Sequence, residues 1–333
     1  AFAADAWARA TGKVGVCMAT SGPGATNLIT GIANAYMDSV PMVCITGQVA
    51  SHLMGTDGFQ EVDILGITLP IVKHSWLVRD PADIPAILAE AFAIAAEGRP
   101  GPVLVDIPKD VASAHVAASH PASFPAWTAP APDPKAIEAA TRLIEQAKKP
   151  LFYAGGGVEM AGASPAMLEL VRRTGIPIVT TLKGIGVVPT NEELYLGMLG
   201  MHGTIEANNA MQETDLLIAL GARFDDRATG KLNAFAPHAK AIHADIDAAE
   251  INKLRKADIA IHGDLKTTIE SLRPKVSGIQ KWVEKCKADK WEHRFRYNAP
   301  GQGVYAPALL KMLSEKAGDK FIAACDVGQH QMW

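Results

Sequence analysis

Residues 13–47 read KVGVCMATSGPGATNLITGIANAYMDSVPMVCITG. The stretch opens with a β-rich apolar run, KVGVCMAT (13–20), and breaks at Ser21-Gly22-Pro23-Gly24. A helical segment, ATNLITGIANAYMDS (25–39), follows, and then a second apolar run, VPMVCITG (40–47). Strand, glycine turn, helix, strand is a βαβ unit, which predicts two parallel strands in one sheet. Upstream, AFAADAWARATGK (1–13) reads as the second half of a helix with no Met, cap or targeting segment. Downstream the alternation continues with an Ala-rich helix over 82–97 and the strand PVLVDIP (102–108). One α/β domain is expected over 1–115.

Residues 116–135, VAASHPASFPAWTAPAPDPK, are rich in Pro, Ala and Ser without periodicity. Proline removes amide donors and fixes the backbone, so a linker is expected over 116–132. A second α/β domain is expected over 133–273. Its strands are predicted at 150–155, 176–182, 215–222, 240–246 and 257–263, and its helices at 136–147, 164–174, 205–213 and 265–272. Unbroken Val, Ile, Leu and Ala runs imply strands covered on both faces, hence a doubly wound sheet. A polar, basic stretch (274–299) predicts an exposed helical connector. A helix at 306–317 and a strand FIAAC (321–325) open a third unit over 300–333, and the chain ends at Met332-Trp333 directly after it. Both termini read as cut.

With 48% hydrophobic and 20% charged residues, the composition suits soluble, well-cored domains. Aromatic residues are 6%, too few for a base-stacking surface, and a net charge of −3 supplies no field for nucleic acid or anionic membrane. No apolar run approaches the ~20 residues that span a bilayer. Cys17, Cys44, Cys286 and Cys325 form no CxxC pair and read as buried thiols in a reducing compartment, not as disulfides or zinc ligands, with Cys17 and Cys44 in apolar, strand-like runs.

Ligands of open parallel sheets bind beyond the carboxyl ends of the strands. In the second domain those ends carry Gly155-Gly156-Gly157, Thr181-Leu182-Lys183-Gly184, Gly221-Ala222-Arg223, Asp245-Ile246-Asp247 and Gly263-Asp264. Glycine admits a ligand to the backbone, and an Asp there can accept from a ribose hydroxyl, so a dinucleotide-sized site is expected. Each element has a plainer reading. The Gly triplet also suits a tight turn and is not the GxGxxG nicotinamide fingerprint, and Asp245 also suits a helix cap or turn. Arg223-Phe224-Asp225-Asp226-Arg227 reads as a salt-bridged loop or as guanidinium groups clamping a diphosphate. His202, bracketed by glycines, reads alone as a satisfied loop histidine.

The strings TSGPGATN (20–27), DSVPMVCITGQV (38–49), GTDGFQE (55–61), GRPGPVLVDIPKDV (98–111), LGMLGMHGT (196–204), GARFDDRATGKL (221–232) and DVGQHQMW (326–333) together resemble acetolactate synthase large subunits, in order and spacing across essentially the whole chain. Glyoxylate carboligase shares the GRPGPVLVD region, whereas MLGMHGT and ARFDDR favour acetolactate synthase. The resemblance implies successive doubly wound parallel-sheet domains: a thiamine pyrimidine-binding domain, a central FAD-binding domain and the start of a diphosphate-binding domain. It implies FAD contacts at Arg99, Gly155, Gly156, Gly157, Thr181, Leu182, Leu199, Gly200, Met201 and His202. Further ones are implied at Gly221, Ala222, Arg223, Asp225, Arg227, Asp245, Ile246, Gly263 and Asp264. For thiamine diphosphate it implies Pro23, Asn27 and Gln48 on the pyrimidine side and Val327, Gly328, Gln329 and His330 against the diphosphate.

Phe59 and Gln60 resemble the pair lining the neighbouring subunit's reaction centre, with Lys109 at the channel mouth, so a homodimer or higher homo-oligomer is implied. The implied reaction decarboxylates pyruvate and transfers the two-carbon unit to a second 2-ketoacid, pyruvate or 2-ketobutyrate, with a structural FAD. A regulatory small subunit is a further implied partner, and a bacterial cytoplasm, or an organelle after loss of a transit peptide, the implied location. The family's activating glutamate is expected just before Ala1, and its Gly-Asp-Gly…Asn motif for Mg2+ beyond Trp333, since Gly263-Asp264-Leu265 lies in the wrong domain. The 333 residues alone are therefore expected to form no acetolactate. Another thiamine-diphosphate carboligase or decarboxylase, such as glyoxylate carboligase, is the alternative within the same chemistry, and a non-catalytic flavin-binding module is the reading from another class.

Overall fold

A computed structural model describes residues 1–117, 124–125, 127–318 and 321–328, and divides into two compact units, Ala1–Ala129 and Pro130–Trp333. In the first unit, β1 (Gly15–Ala19), β2 (Met42–Gln48), β3 (Ser75–Leu77) and β4 (Pro102–Pro108) form a parallel sheet in the order β1-β2-β4-β3. β1 and β2 pair in register from Gly15 opposite Met42 to Ala19 opposite Thr46, as a βαβ unit requires. The connecting helix comes in two pieces, Pro23–Thr26 and Ile29–Met37, rather than the one expected over 25–39. Alternation along β2 sends Met42 and Cys44 into one core with Leu28, Ile32 and Ala35, and Val43 into another with Ala91, Ala95 and Val105. Both faces are thus covered, so an unbroken apolar run is the sequence of a buried parallel strand. The first helix, Phe2–Thr11, packs so closely that a Cβ on Gly15 would lie 2.3 Å from the Ala4 carbonyl oxygen.

The second unit has six parallel strands: β5 (Pro150–Ala154), β6 (Ile178–Thr180), β7 (Tyr195–Met198), β8 (Leu216–Leu220), β9 (Lys240–Asp245) and β10 (Ile259–His262). Their order is β10-β9-β8-β5-β6-β7. The chain leaves β5 toward one edge and returns at β8 toward the other, which is the doubly wound topology with its switch point between β5 and β8. Helices Pro134–Gln146, Ser164–Thr174 and Leu265–Ser271 cover one face, through Ile144, Leu170 and Ile269. Helices Ile205–Glu213 and Gln280–His293 cover the other, through Met211, Trp282 and Cys286.

Several expectations are corrected or refined. The stretch 274–299 carries the expected helix and is largely exposed, but it is not exposed throughout. Its helix buries Trp282, whose indole donates to the Pro150 carbonyl at 2.9 Å, because Trp282 and Cys286, four apart, share one helix face. Residues 321–325 form no strand, and Ile322 is 98% exposed. A strand is stable only when a neighbour pairs with it, and no described strand does. Of the thiols expected to be buried, Cys17 is half-buried, because β1 is the edge of its sheet, and Cys325 is exposed, because no strand forms around it. The strands β3 and β7 were not anticipated. Both are short edge strands, and β7 carries a glycine.

Candidate functional site

In the second unit every predicted flavin position falls at the carboxyl end of a strand: 155–157 after β5, 181–182 after β6, 199–202 after β7, 221–227 after β8, 245–246 on and after β9, 263–264 after β10. These loops are packed backbone to backbone. A Cβ on Gly155 would stand 2.0 Å from the Gly221 carbonyl oxygen, and one on Gly157 2.8 Å from the Gly221 Cα. The glycines are therefore required first by each other, which holds the loops at the switch point in contact. Ala222 is buried beneath them, and the His243 ring bonds its carbonyl at 3.0 Å.

The loop after β7 is fixed in the same way. Met201 N–H donates to the Arg227 carbonyl at 2.9 Å, and a Cβ on Gly200 would lie 2.4 Å from that same oxygen. Asn208, which sequence reasoning missed, clamps Gly200 twice: its Oδ1 accepts from the amide at 3.1 Å and its Nδ2 donates to the carbonyl at 3.0 Å. The available signal was an amide side chain four residues past the Thr204 helix cap. Leu199 is buried under this loop, while Met201 and His202 are exposed.

Phe224 is buried at φ 57, a left-handed conformation costly for an aromatic residue. Tyr153, Phe235 and His243 pack around its ring at centroid distances of 5.8, 6.1 and 5.0 Å and hold it there. Its neighbours Arg223 and Asp225 are left only part-buried. Asp225 caps the turn of helix 226–229 by accepting from the Arg227 and Ala228 amides, at 3.1 and 3.2 Å. The Arg227–Asp226 ion pair, at 3.9 Å between exposed side chains, does not organise the loop. That weakens the salt-bridged reading of the stretch and leaves the Arg227 side chain exposed.

Other predicted groups have structural work. Thr181 Oγ1 accepts from Gly184 N–H at 3.1 Å, Asp264 caps its helix by accepting from Thr267 N–H at 2.6 Å, and Asp245 Oδ1 accepts from Asp247 N–H at 2.9 Å. Asp245 thus closes a turn. Gly263 N–H donates to the Asp245 carbonyl, and the Ile246 carbonyl bonds the His262 ring. Exposed apolar side chains, Leu182, Ile185 and Met201, lie among these polar turns. Apolar groups bared beside glycine turns and two arginines fit a large ligand with a flat ring and a diphosphate.

In the first unit, the turn after β1 and the loop after β2 meet beyond the strand ends. A Cβ on Gly22 would stand 2.8 Å from the Gln60 Cβ, and Gln60 itself adopts φ 62. Phe59, beside it, is 90% exposed. The Glu61 carboxylate accepts from the Gly55 amide and, at 3.0 Å, from the Gly58 amide, closing the loop; these bonds lower its pKa. Pro23 begins the short helix after the turn, and the Asn27 amide donates back to its carbonyl at 2.7 Å. Gln48 points inward, its Nε2 donating to the Val62 carbonyl at 2.8 Å. Lys109 is exposed at the start of helix Lys109–Ala112, and Asp110 accepts from the Ser51 amide at 2.9 Å, tying this end to the loop after β2. Arg99 Nε donates to Ser39 Oγ at 2.7 Å. Val327 is exposed and Gly328 part-buried, without regular structure; Gln329 and His330 lie outside the described residues.

The description "thiamine pyrophosphate enzyme, N-terminal TPP binding domain" fits residues 1–67, and "thiamine pyrophosphate enzyme, central domain" fits residues 137–272. The chain belongs to the thiamine pyrophosphate enzyme family. Within the family its likeness is to acetolactate synthase large subunits. The isozyme 2 large subunit of Escherichia coli (strain K12) is 53% identical over 340 residues, covering 100% of this chain and 60% of that protein. The large subunit of Parasynechococcus marenigrum (strain WH8102) is 53% identical, covering 99% and 55%, and that of Corynebacterium glutamicum 49% identical, again covering 99% and 55%. The chain thus spans a little over half the length of these relatives. Among the described residues no group of three or more His, Cys, Asp or Glu is placed to hold a metal, and no helix is long and apolar enough to cross a membrane.

Proposed function

We propose that this chain carries the pyrimidine-side and flavin-binding regions of an acetolactate synthase catalytic subunit. The enzyme decarboxylates pyruvate and passes the two-carbon unit to a second pyruvate or to 2-ketobutyrate, the entry to branched-chain amino acid synthesis. Thiamine diphosphate, when bound with Mg2+, supplies the carbon nucleophile and the electron sink for loss of carbon dioxide. Gln60 then donates a hydrogen bond to the reacting oxygen, Phe59 shields that centre from water, and Lys109 attracts the 2-ketoacid carboxylate at the entrance. Pro23, Asn27 and the Gln48 strand end would shape the pyrimidine side, and Val327 and Gly328 are the described candidates for holding a diphosphate.

The observation that carries this reading is the contact of Gly22 with Gln60, which joins the two loops of the pyrimidine side in one place. A reaction centre shared between subunits calls for a homodimer or larger homo-oligomer, with Phe59 bared for the partner. A regulatory small subunit and a cytoplasmic location belong to the same proposal. Flavin binding would fall to the strand-end rim of the second unit, with the exposed Leu182 and Met201 available to an aromatic ring and Arg223 and Arg227 to a diphosphate.

Two measurements test this. The full-length subunit, given pyruvate, thiamine diphosphate, Mg2+ and FAD, is expected to release acetolactate; a product of glyoxylate condensation instead would move the assignment to glyoxylate carboligase. This chain alone, reconstituted with FAD and desalted, is expected to retain a flavin absorption band. A colourless protein would remove the flavin rim.

A further inference from the structure

Asp106, near the end of β4, is wholly buried, and its two carboxyl oxygens reach different strand-end groups. Oδ1 accepts from the Thr46 hydroxyl at 2.7 Å, and Oδ2 from Gln48 Nε2 at 3.0 Å. The same Nε2 donates to the Val62 carbonyl at 2.8 Å, and Gln48 Oε1 accepts from the Val49 amide at 2.9 Å. Both protons of the amide are therefore committed inside the protein. The chain of bonds runs from β4 through β2 to Val62, two residues after Gln60. Between the tie at Val62 and the contact at Gly22 lies the loop closed by Glu61, with Gln60 held at positive φ.

We propose that Asp106 is a positioning residue for the reaction: through Gln48 and the Val62 carbonyl, its buried side chain sets where the Gln60 loop rests against the Ser21–Gly24 turn. The proposal rests on the reading of Gln60 as a reaction-centre residue. It requires acceptors for two donors whose alternatives are unpaired buried groups, so loss of the carboxyl releases the tie rather than merely softening the core. An amide can stand in, because its oxygen accepts from Gln48 while its nitrogen donates to a Thr46 hydroxyl turned to accept. A leucine of similar size offers neither.

The test uses the full-length enzyme carrying D106L, D106N or Q48M, the last of which cuts the tie beyond Asp106 and guards against a misfolded D106L. D106L and Q48M are expected to lower kcat about 10- to 100-fold, the cost of a misplaced reacting group. KM for pyruvate should move by less than about threefold, because ground-state binding is spared. Amide hydrogen exchange over residues 55–62 should quicken about tenfold or more, with the helix at 29–37 unchanged, since only a local opening is released. D106N should recover most of the loss. Unchanged exchange over 55–62 in Q48M, or a D106N as impaired as D106L, would overturn the proposal. Absence of acetolactate from the wild-type enzyme would instead count against the reading of the reaction, and the exchange pattern would still decide whether Asp106 holds the loop.

Discussion

Cys17 and Cys44 stand opposite each other on β1 and β2, sulfurs 3.5 Å apart, yet they differ in chemistry. A hydrogen bond from Cys44 stabilises the Cys17 thiolate and lowers its pKa to about 7, while that bond and burial hold the Cys44 thiol well above its ordinary range. Iodoacetamide should therefore label Cys17 with a midpoint near pH 7 and leave Cys44 unlabelled. In C44A the midpoint should climb toward about 8.5, the ordinary thiol value. A pH–rate curve that stays put in C44A contradicts this. Neither the pairing nor its asymmetry was legible from two cysteines 27 positions apart, because register is a property of the sheet.

Asp106 offers a second residue-scale prediction. Burial raises its pKa to about 6 against the Thr46 and Gln48 bonds, and the negative charge of Asp63 adds to the rise. An acid raised in the folded state stabilises fully below its unfolded pKa and loses that contribution as pH climbs through the folded value. The stability of wild type relative to D106N should thus fall by roughly 2–3 kcal/mol between about pH 4 and 6, and stay level above. Urea unfolding of both proteins across pH 4–7.5 measures it, and a constant difference refutes it. The loop residues Phe59 and Gln60 were legible through the GTDGFQE string. The carboxyl beneath them was not, since in PVLVDIP it reads only as a polar break in a buried strand.

At the level of elements, the glycines separate two kinds of requirement. Gly155 has an ordinary backbone, but a Cβ there collides with the Gly221 carbonyl oxygen, whereas Gly162 sits at φ 60 with open space around it. G155A must push the β5 and β8 loops apart and should cost on the order of 3 kcal/mol or more, as overpacking against rigid backbone does. G162A bears only the left-handed conformation, about 1 kcal/mol. Equal midpoints in guanidinium unfolding would contradict the distinction. The helix Gln280–His293 makes a parallel case. W282A should lose about 3–5 kcal/mol by emptying a buried site and leaving the Pro150 carbonyl without its donor. Strands with long apolar runs were legible because both faces are buried. β3 and β7, each at an edge, had too little burial to mark them, and the amphipathic character of 280–293 was masked by its lysines.

Across the whole molecule, the doubly wound class followed from the alternation of apolar runs and helices, and the strand-end rule then located the candidate rim. What could not be read was which loops touch, because Gly155 with Gly221, or Gly22 with Gln60, are contacts between distant parts of the chain. The described residues between Ser113 and Pro130 carry no regular structure, and most are exposed. Brief proteolysis should cut within this stretch first and leave two fragments, each still unfolding cooperatively; an early cut inside either sheet would argue otherwise.

The strand order of the second unit has a consequence for how the protein is made. β5, β6 and β7 emerge from the ribosome consecutively as one wing, and β8, β9 and β10 follow as the other. Until residues 216–220 are translated, the flank of β5 that will receive β8 has no partner, although its side chains are among the most buried in the finished molecule. A parallel pairing cannot be improvised from a hairpin, so the half-made sheet waits with an apolar edge bare. Synthesis that stalls between Met198 and Leu216 would leave that edge open to a neighbouring chain.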